Sequence, residues 1–319
     1  MDGDPVLLNP EGTLRPMIAL GSAGAICRDS TNPNQVVKAP LKHNVQGCND
    51  QVIKSVEHRE YFSELCISQE KLIYQTLPKN AYILDCLAIT ERGLLFPFMR
   101  LGNLRDYLQK HNHHLDSHLR DHWIENAVNA ISIIHAHGVI HADISPRNFL
   151  VADDLSIKLC DFAGSAIGDL DALVEEEDRY RISPWSARTV KTDLFALGCL
   201  IFEISTGVRP YDEIADDRSE EIQRRYAEQI FPDLDGLRYR DVIYKCWTSQ
   251  YTSVDMLIYD IEHSIKGNRG TRWAESLSLT GVGHYVESGL FPKPSITSTM
   301  AMVTISSIII WLYRRQNWL

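Results

Sequence analysis

One short stretch of the chain carries a proton acceptor and two hard oxygen donors at fixed spacing. In His141-Ala142-Asp143-Ile144-Ser145-Pro146-Arg147-Asn148, Asp143 stands five positions before Asn148, and Asp161 follows thirteen positions after Asn148 in Asp161-Phe162-Ala163-Gly164. Between them, Phe149-Leu150-Val151-Ala152 and Ile157-Lys158-Leu159-Cys160 flank the polar Asp153-Asp154-Leu155-Ser156, a pattern that predicts an antiparallel hairpin. Such a hairpin brings the residue before its first strand and the residue after its second to the same open end, so Asn148 and Asp161 should meet there. An amide oxygen and a carboxylate suit Mg²⁺, which keeps several waters and takes the rest of its shell from phosphate. Asp143, on the approaching loop, is placed to accept a proton from a hydroxyl nucleophile.

The elements around this stretch fall into two blocks. Met17 to Leu20 leads as a strand into Gly21-Ser22-Ala23-Gly24, and Gln35-Val36-Val37-Lys38 forms a second strand that Pro40 ends. From Ser55 to Leu77, Phe62, Leu65, Leu72, Ile73 and Leu77 recur at three- and four-residue steps, predicting a helix that Pro78 terminates. Two strand-like runs follow, Tyr82 to Thr90 and Leu94 to Met99. Helical spacing then dominates in Leu104 to Leu108, in Trp123 to His135 and in Asp193 to Ser205. The fold class is α+β and two-lobed: a strand-rich block with one main helix over residues 1–99, and a mostly helical lobe over 100–265. Residues 266–294 form a linker or tail rich in Gly, Ser and Pro, and residues 295–313 an uncharged C-terminal segment.

The catalytic stretch resembles the HRDxxxxN loop and the DFG motif of eukaryotic protein kinases, and the resemblance extends over about residues 15–265. It implies a protein kinase-like fold using ATP and Mg²⁺, with Asp143 as catalytic base and Asn148 and Asp161 as metal ligands. Ala19-Leu20-Gly21-Ser22-Ala23-Gly24-Ala25-Ile26 resembles the GxGxxGxV loop with its first glycine replaced by Ala19, which would place Gly21, Ser22, Gly24 and Ile26 against the nucleotide. A plain turn is the other reading of that stretch. Val36-Val37-Lys38 resembles the VAIK strand, so that Lys38 would contact the α and β phosphates. Glu70 is the best candidate for the helix glutamate that orients the lysine, with Glu57, Glu60 and Glu64 as rivals. By the same resemblance Phe96 is the gatekeeper, and the Pro97 carbonyl and the Met99 backbone face adenine, since Pro97 has no amide hydrogen. Asp193 resembles the aspartate that braces the catalytic loop, and Cys246-Trp247 an apolar anchor of a late helix. The combination of HADISPRN and DFAG is similar to divergent fungal protein kinase-like domains.

Departures from the family pattern carry their own expectations. Ala142 replaces an arginine that reads a phosphorylated segment, and residues 166–182 hold no Ser or Thr, so no switching by loop phosphorylation is expected. The run Glu175-Glu176-Glu177-Asp178 reads as a solvated loop rather than a phosphate mimic. Ser183-Pro184-Trp185 replaces the APE motif, and residues 248–268 lack the arginine that its glutamate would pair with. Losing both halves of an ion pair is nearly neutral, whereas losing one strands a charge at a cost of about 3–5 kcal/mol. Ser145 stands where Ser/Thr kinases carry a lysine, and Arg147, four positions after Asp143, is expected to supply the missing cation near the γ-phosphate; a surface salt bridge is its alternative. Ala163 replaces the glycine of DFG, and Gly164 offers the backbone freedom instead. Transfer of the γ-phosphate to a protein hydroxyl follows, with Ser/Thr favoured over Tyr. A nucleotide-binding pseudokinase scaffold is the alternative, and a small-molecule phosphotransferase a third reading.

Composition limits the rest. The 319 residues carry 32 Lys and Arg against 42 Asp and Glu, a net charge of −10 that argues against nucleic acid as a partner. Seven cysteines without a CxxC pair suggest reduced thiols and a cytoplasmic, reducing compartment. Residues 295–313 are 19 positions without a charge, long enough to cross a bilayer and associate with a membrane. Seven Ser or Thr within them, and Arg314-Arg315 just beyond, weigh toward a packed helix or an apolar tail.

Overall fold

The computed structural model describes residues 4–8, 17–21, 23–183 and 186–266. Strands β1 (Val6–Leu8), β2 (Met17–Leu20), β3 (Ala25–Arg28), β4 (Gln35–Ala39) and β5 (Lys42–Asn44) precede the long helix α1 (Asp50–Thr76), and β6 (Ala88–Thr90) and β7 (Gly93–Pro97) follow it. Five of these strands form one antiparallel sheet in the order β2-β3-β4-β7-β6, while β1 pairs with β5. The central strand β4 is nearly all buried, with Lys38 across from Ile26 on one side and Leu94 on the other. Gly93 faces the Lys38–Ala39 backbone so closely that a Cβ would sit 2.1 Å from the Lys38 carbonyl oxygen.

Helix α1 starts where the Asn49 side chain accepts the Val52 amide, and ends at Leu77, held extended by the following Pro78. Its buried face differs from the predicted one. Ile73 is buried as expected, but Leu65 and Leu72 are 40% and 41% exposed, and Ser63, Cys66, Ile67 and Glu70 face inward instead. Apolar spacing alone could not show that a buried glutamate and a serine belong to the inner face. The run from Tyr82 is also a strand only over β6. Before it, Leu84 N–H donates to the Leu159 carbonyl and Leu159 N–H to the Tyr82 carbonyl, both at 2.8 Å, so this segment pairs with the predicted hairpin instead of the sheet.

Beyond Met99 come α2 (Leu104–His111), α3 (Ser117–Ala136), β8 (Val139–Ile140), β9 (Phe149–Val151), β10 (Ile157–Leu159) and β11 (Ala166–Ile167). Helices α4 (Val190–Thr206), α5 (Ser219–Ala227), α6 (Arg240–Trp247) and α7 (Val254–Lys266) complete the lobe. The β9–β10 hairpin is antiparallel with Leu159 opposite Phe149, as expected. Helix α4 is buried along most of its length, capped by Thr189 and Thr192 at one end and by Gly207, at φ 82°, at the other. Gly198 lets α6 approach, since a Cβ there would lie 2.4 Å from that of Cys246. Cys246 and Trp247 are core residues, and the Trp247 indole donates to Cys199 Sγ at 3.1 Å.

This β-rich N-terminal part and helical C-terminal part form the two-lobed protein kinase fold, within one compact unit, Met1–Ile261. From Glu262 a second unit begins, of which only the last turns of α7 are described. Residues 267–319, and with them the linker and the uncharged segment 295–313, lie outside the described residues. Among the described residues no helix is long and apolar enough to cross a membrane.

Candidate active site

The loop from His141 to Asn148 is held by one buried carboxylate. Asp193, at the start of α4, accepts the His141 amide through Oδ2 at 2.8 Å and the Ala142 amide through Oδ1 at 2.9 Å. His135 Nε2 lies 2.8 Å from the same Oδ2. These bonds secure Ala142 at φ 65°, a left-handed conformation that costs a non-glycine residue about 1–3 kcal/mol. His141 is fully buried, and burial lowers its pKa, so the imidazole is neutral. Its ring takes one tautomer: Nε2 must donate to the Cys160 carbonyl at 3.1 Å, because a carbonyl only accepts, and Nδ1 accepts the Asp143 amide at 3.3 Å.

The hairpin performs the juxtaposition its sequence predicts. Asn148 donates its side-chain amide to the Asp143 carbonyl at 2.6 Å and to Asp143 Oδ2 at 3.0 Å. At the other strand end, Cys160 N–H donates to the Asn148 carbonyl at 2.9 Å, which sets Asp161 beside it. Asp161 adopts φ 65° and leaves its side chain 47% exposed. Gly164, at φ 85°, provides the turn after it, whereas Ala163 is not left-handed. A Cβ on Gly164 would also meet Val174 Cγ1 at 2.8 Å.

Lys38 joins the two lobes at this point. Its Nζ lies 2.6 Å from Glu70 Oε2 and 2.6 Å from Asp161 Oδ1. Glu70 in turn accepts the Phe162 amide through Oε1 at 3.1 Å, so the helix glutamate touches both the lysine and the residue after Asp161. Burial opposes the Lys38 charge, but the Asp161 and Glu70 carboxylates outweigh it and hold the ammonium above the ordinary lysine range. Burial likewise raises Asp161, yet Lys38 reverses the sign and keeps it below the usual carboxylate range. Glu70 has no exposure, and there burial prevails over Lys38 and raises the carboxyl. Of its rivals, Glu60 and Glu64 both pair with Lys42, and Glu57 is exposed.

Above this cluster, Gly21 N–H donates to the Gly24 carbonyl at 2.9 Å and closes the turn between β2 and β3; Ser22 lies outside the described residues. Neither glycine is left-handed. Gly24 is required for a different reason, because a Cβ would stand 2.8 Å from the Ala39 carbonyl oxygen and 3.2 Å from Ile67 Cδ1. Phe96 is buried in an apolar cluster with Val36, Leu94 and Ala163, against which Ile26, Met99, Leu150 and Cys160 pack. Pro97 pairs with Gln35 at the edge of this cluster, and the Met99 carbonyl accepts the Gly102 amide at 3.3 Å. Ring contacts run from Phe96 to Tyr74 (5.2 Å), on to Phe162 (5.3 Å) and to His141 (5.2 Å).

The acidic run is not a solvated loop. Glu177 binds Arg105 Nη1 through both oxygens, at 2.9 and 2.8 Å, and Arg147 Nε lies 3.5 Å from it. Glu175 pairs with Arg181 and Arg188, and Asp178 with Arg181. Glu176 is wholly buried, 3.0 Å from Arg188 Nε without a hydrogen bond to either oxygen, and burial pushes its pKa up to about 8. Arg105, Arg147 and Arg188 reach this segment from elsewhere in the chain, and Arg181 at its own end closes on Glu175 and Asp178, so the acids are paired rather than solvated. Burial would raise Glu177 too, but Arg105 and Arg147 bring it below the usual range. Arg147 itself is 61% exposed. Arg179 fastens the end of the segment, donating to the Pro210 carbonyl at 3.2 Å and pairing with Asp216 at 2.7 Å; Pro184 and Trp185 lie outside the described residues.

Spacing therefore missed Arg105, Glu177 and Glu203, whose contacts cross 72 and 98 positions. It also missed Leu150 as a wall of the apolar cluster, although its place in the predicted hairpin next to Asn148 was a usable signal. Among the described residues no group of three or more His, Cys, Asp and Glu could hold a metal alone, so an ion at Asn148 and Asp161 would complete its shell from other oxygens. The two residues fit that role: Asp143 engages the Asn148 amide nitrogen and leaves its oxygen as the free donor atom, and the Asp161 side chain is 47% exposed.

Residues 30–253 match the family described as protein tyrosine and serine/threonine kinase, so the chain belongs to the protein kinase superfamily. Among curated proteins it is similar to the probable serine/threonine-protein kinase PknB of Lactococcus lactis, at 26% identity over 46% of this chain and 26% of that protein. The mouse dual specificity protein kinase TTK is 27% identical over 50% of this chain and 21% of its own length. Rat cyclin-dependent kinase-like 2 is 26% identical over 60% and 38%. The chain thus spans well under half of each of these relatives.

Proposed function

We propose that the chain is an ATP-dependent protein kinase that transfers the γ-phosphate to a Ser or Thr hydroxyl of a protein. The observation that carries this reading is the cluster of Lys38, Glu70 and Asp161 within 2.6 Å contacts, beside the Asp143–Asn148 pair. Lys38 binds the α and β phosphates, oriented by Glu70, while Ile26, Phe96 and the Met99 backbone enclose adenine. Asp143 takes the proton of the acceptor hydroxyl as its oxygen bonds to the γ-phosphorus and the bond to the β-phosphate oxygen breaks, releasing ADP. Arg147 supplies positive charge to the transferring group; a cation about 4 Å away contributes on the order of 4 kcal/mol at an effective dielectric of 20. Asn148 and Asp161 would hold Mg²⁺, which when bound neutralises phosphate charge.

Ser/Thr acceptors are supported by the names of relatives such as PknB, and independence from loop phosphorylation by the segment itself. It has no Ser or Thr over 166–182, and its one hydroxyl, Tyr180, is fully buried and donates to Glu203. We further infer a cytoplasmic, reducing location from the seven cysteines, with membrane association through residues 295–313 as the alternative to a packed helix or an apolar tail. The fungal-type affiliation rests on the HADISPRN and DFAG motifs. Incubation with Mg-ATP and a mixed protein acceptor, followed by phosphoamino acid analysis, tests the proposal. Phosphoserine or phosphothreonine is expected; phosphotyrosine alone would overturn the acceptor class, and ATP binding without transfer would favour the pseudokinase reading.

A further inference from the structure

Four charged side chains from four parts of the chain meet next to the catalytic loop. Arg105 of α2, 5% exposed, donates from Nη1 to both Glu177 oxygens and from Nε and Nη2 to the two Glu203 oxygens, at 3.2 and 3.3 Å. Glu203, in the last turns of α4, also accepts the Tyr180 hydroxyl, and the Tyr180 ring lies 5.3 Å from the Arg105 guanidinium. With its fork engaged by two carboxylates, Arg105 has a single geometry and fixes Glu177 with it. Glu177 then reaches Arg147, at the far end of the catalytic loop from Ala142. Helix α4 therefore grips the loop at two places: directly at His141 and Ala142 through Asp193, and at Arg147 through Glu203, Arg105 and Glu177. Two guanidinium groups against two carboxylates leave this quartet neutral.

We propose that Glu177 is a positioning residue whose built-in charge holds the Arg147 end of the catalytic loop in its working arrangement, in place of any charge added to the segment later. The kinetic side of this inference rests on the kinase reading above; the structural side does not. Glu177 is suited to the task because Arg105 anchors it from behind, while Arg147, largely exposed, has no comparable constraint of its own.

Amide hydrogen exchange on the full chain separates the possibilities, followed over residues 145–150 and 174–181 in the wild type, Glu177→Gln and Arg147→Gln. Both variants should speed exchange over 145–150 by about threefold. Arg147→Gln should leave 174–181 protected, because Arg105 still binds Glu177. In steady-state assays Glu177→Gln should lower kcat about tenfold with the ATP KM within about twofold, and the double variant should be no slower than Arg147→Gln alone. Unchanged exchange over 145–150, or losses that add in the double variant, would overturn the proposal. So would a lower melting temperature in Glu177→Gln with the loop still protected, which marks a merely structural ion pair. Should Glu177→Gln not fold, the exposed Arg147→Gln decides by its exchange alone. A wild type without phosphotransfer would defeat the kinase reading and leave the exchange result to judge this link.

Discussion

Asn148 and Asp143 are joined by both hydrogens of one amide: Nδ2 donates to the Asp143 carbonyl at 2.6 Å and to its Oδ2 at 3.0 Å. The bond fixes the carboxylate that would accept the proton and orients the Asn148 oxygen by the same act. Asn148→Asp removes both donors and sets a second negative charge against Asp143. Phosphotransfer measured under saturating Mg-ATP should fall by about a hundredfold or more. A rate near that of the wild type would show that this pair does not organise the reaction.

Gly24 and Gly21 should respond differently to the same substitution. In Gly24→Ala the new methyl meets the Ala39 carbonyl at 2.8 Å, a backbone atom that cannot swing aside, so denaturant unfolding should show a loss of about 1–3 kcal/mol and weaker nucleotide binding. In Gly21→Ala the nearest contact is 3.7 Å, and stability should change by less than about 0.5 kcal/mol. Equal losses would mean that packing on Ala39 and Ile67 is not what requires glycine at position 24.

Glu176 gives the protein a pH dependence of unusual sign. Its folded pKa, about 8, lies above the unfolded value of 4.5, so between these limits the folded state holds more protons and loses stability as pH rises. Glu176→Gln removes that loss. The variant should be more stable than the wild type by about 1–3 kcal/mol at pH 8, and the advantage should shrink toward pH 5. Melting curves across that range check it; a gain that is constant with pH would contradict the burial of an ionisable carboxyl.

Arg147→Ala separates a catalytic cation from a surface ion pair. The guanidinium is 61% exposed and its contact with Glu177 is long, so stability should change by under about 1 kcal/mol. Steady-state kcat should nevertheless drop by about tenfold to a hundredfold. Unchanged kcat would reduce Arg147 to the surface pair.

What could be read from the chain was local. The hairpin after Asn148 has both strands and its turn within fourteen residues, so the meeting of Asn148 and Asp161 follows from pairing alone. Glu70 could be selected over Glu60 and Glu64 only by register, and the structure shows why those two face Lys42 instead. The inner face of α1 was hidden because Ser63 and Glu70 are buried by specific partners, Leu41 N–H and Lys38, that periodicity does not register. The acidic run is hidden for the same reason: four consecutive acids look solvated until the fold brings Arg105, Arg147 and Arg188 to them, beside the neighbouring Arg181.

In the proposed kinase reading, Asp143 serves phosphotransfer at a site where Lys38, Glu70 and Asp161 receive ATP. The direct test is transfer of labelled γ-phosphate from Mg-ATP to a protein acceptor by the wild type and by Asp143→Asn, with ATP-dependent thermal stabilisation followed in parallel. Label is expected from the wild type, with at least a roughly hundredfold smaller rate from Asp143→Asn and thermal stabilisation by ATP in both. Label that persists undiminished in Asp143→Asn, or a wild type that binds ATP and transfers nothing, would contradict it.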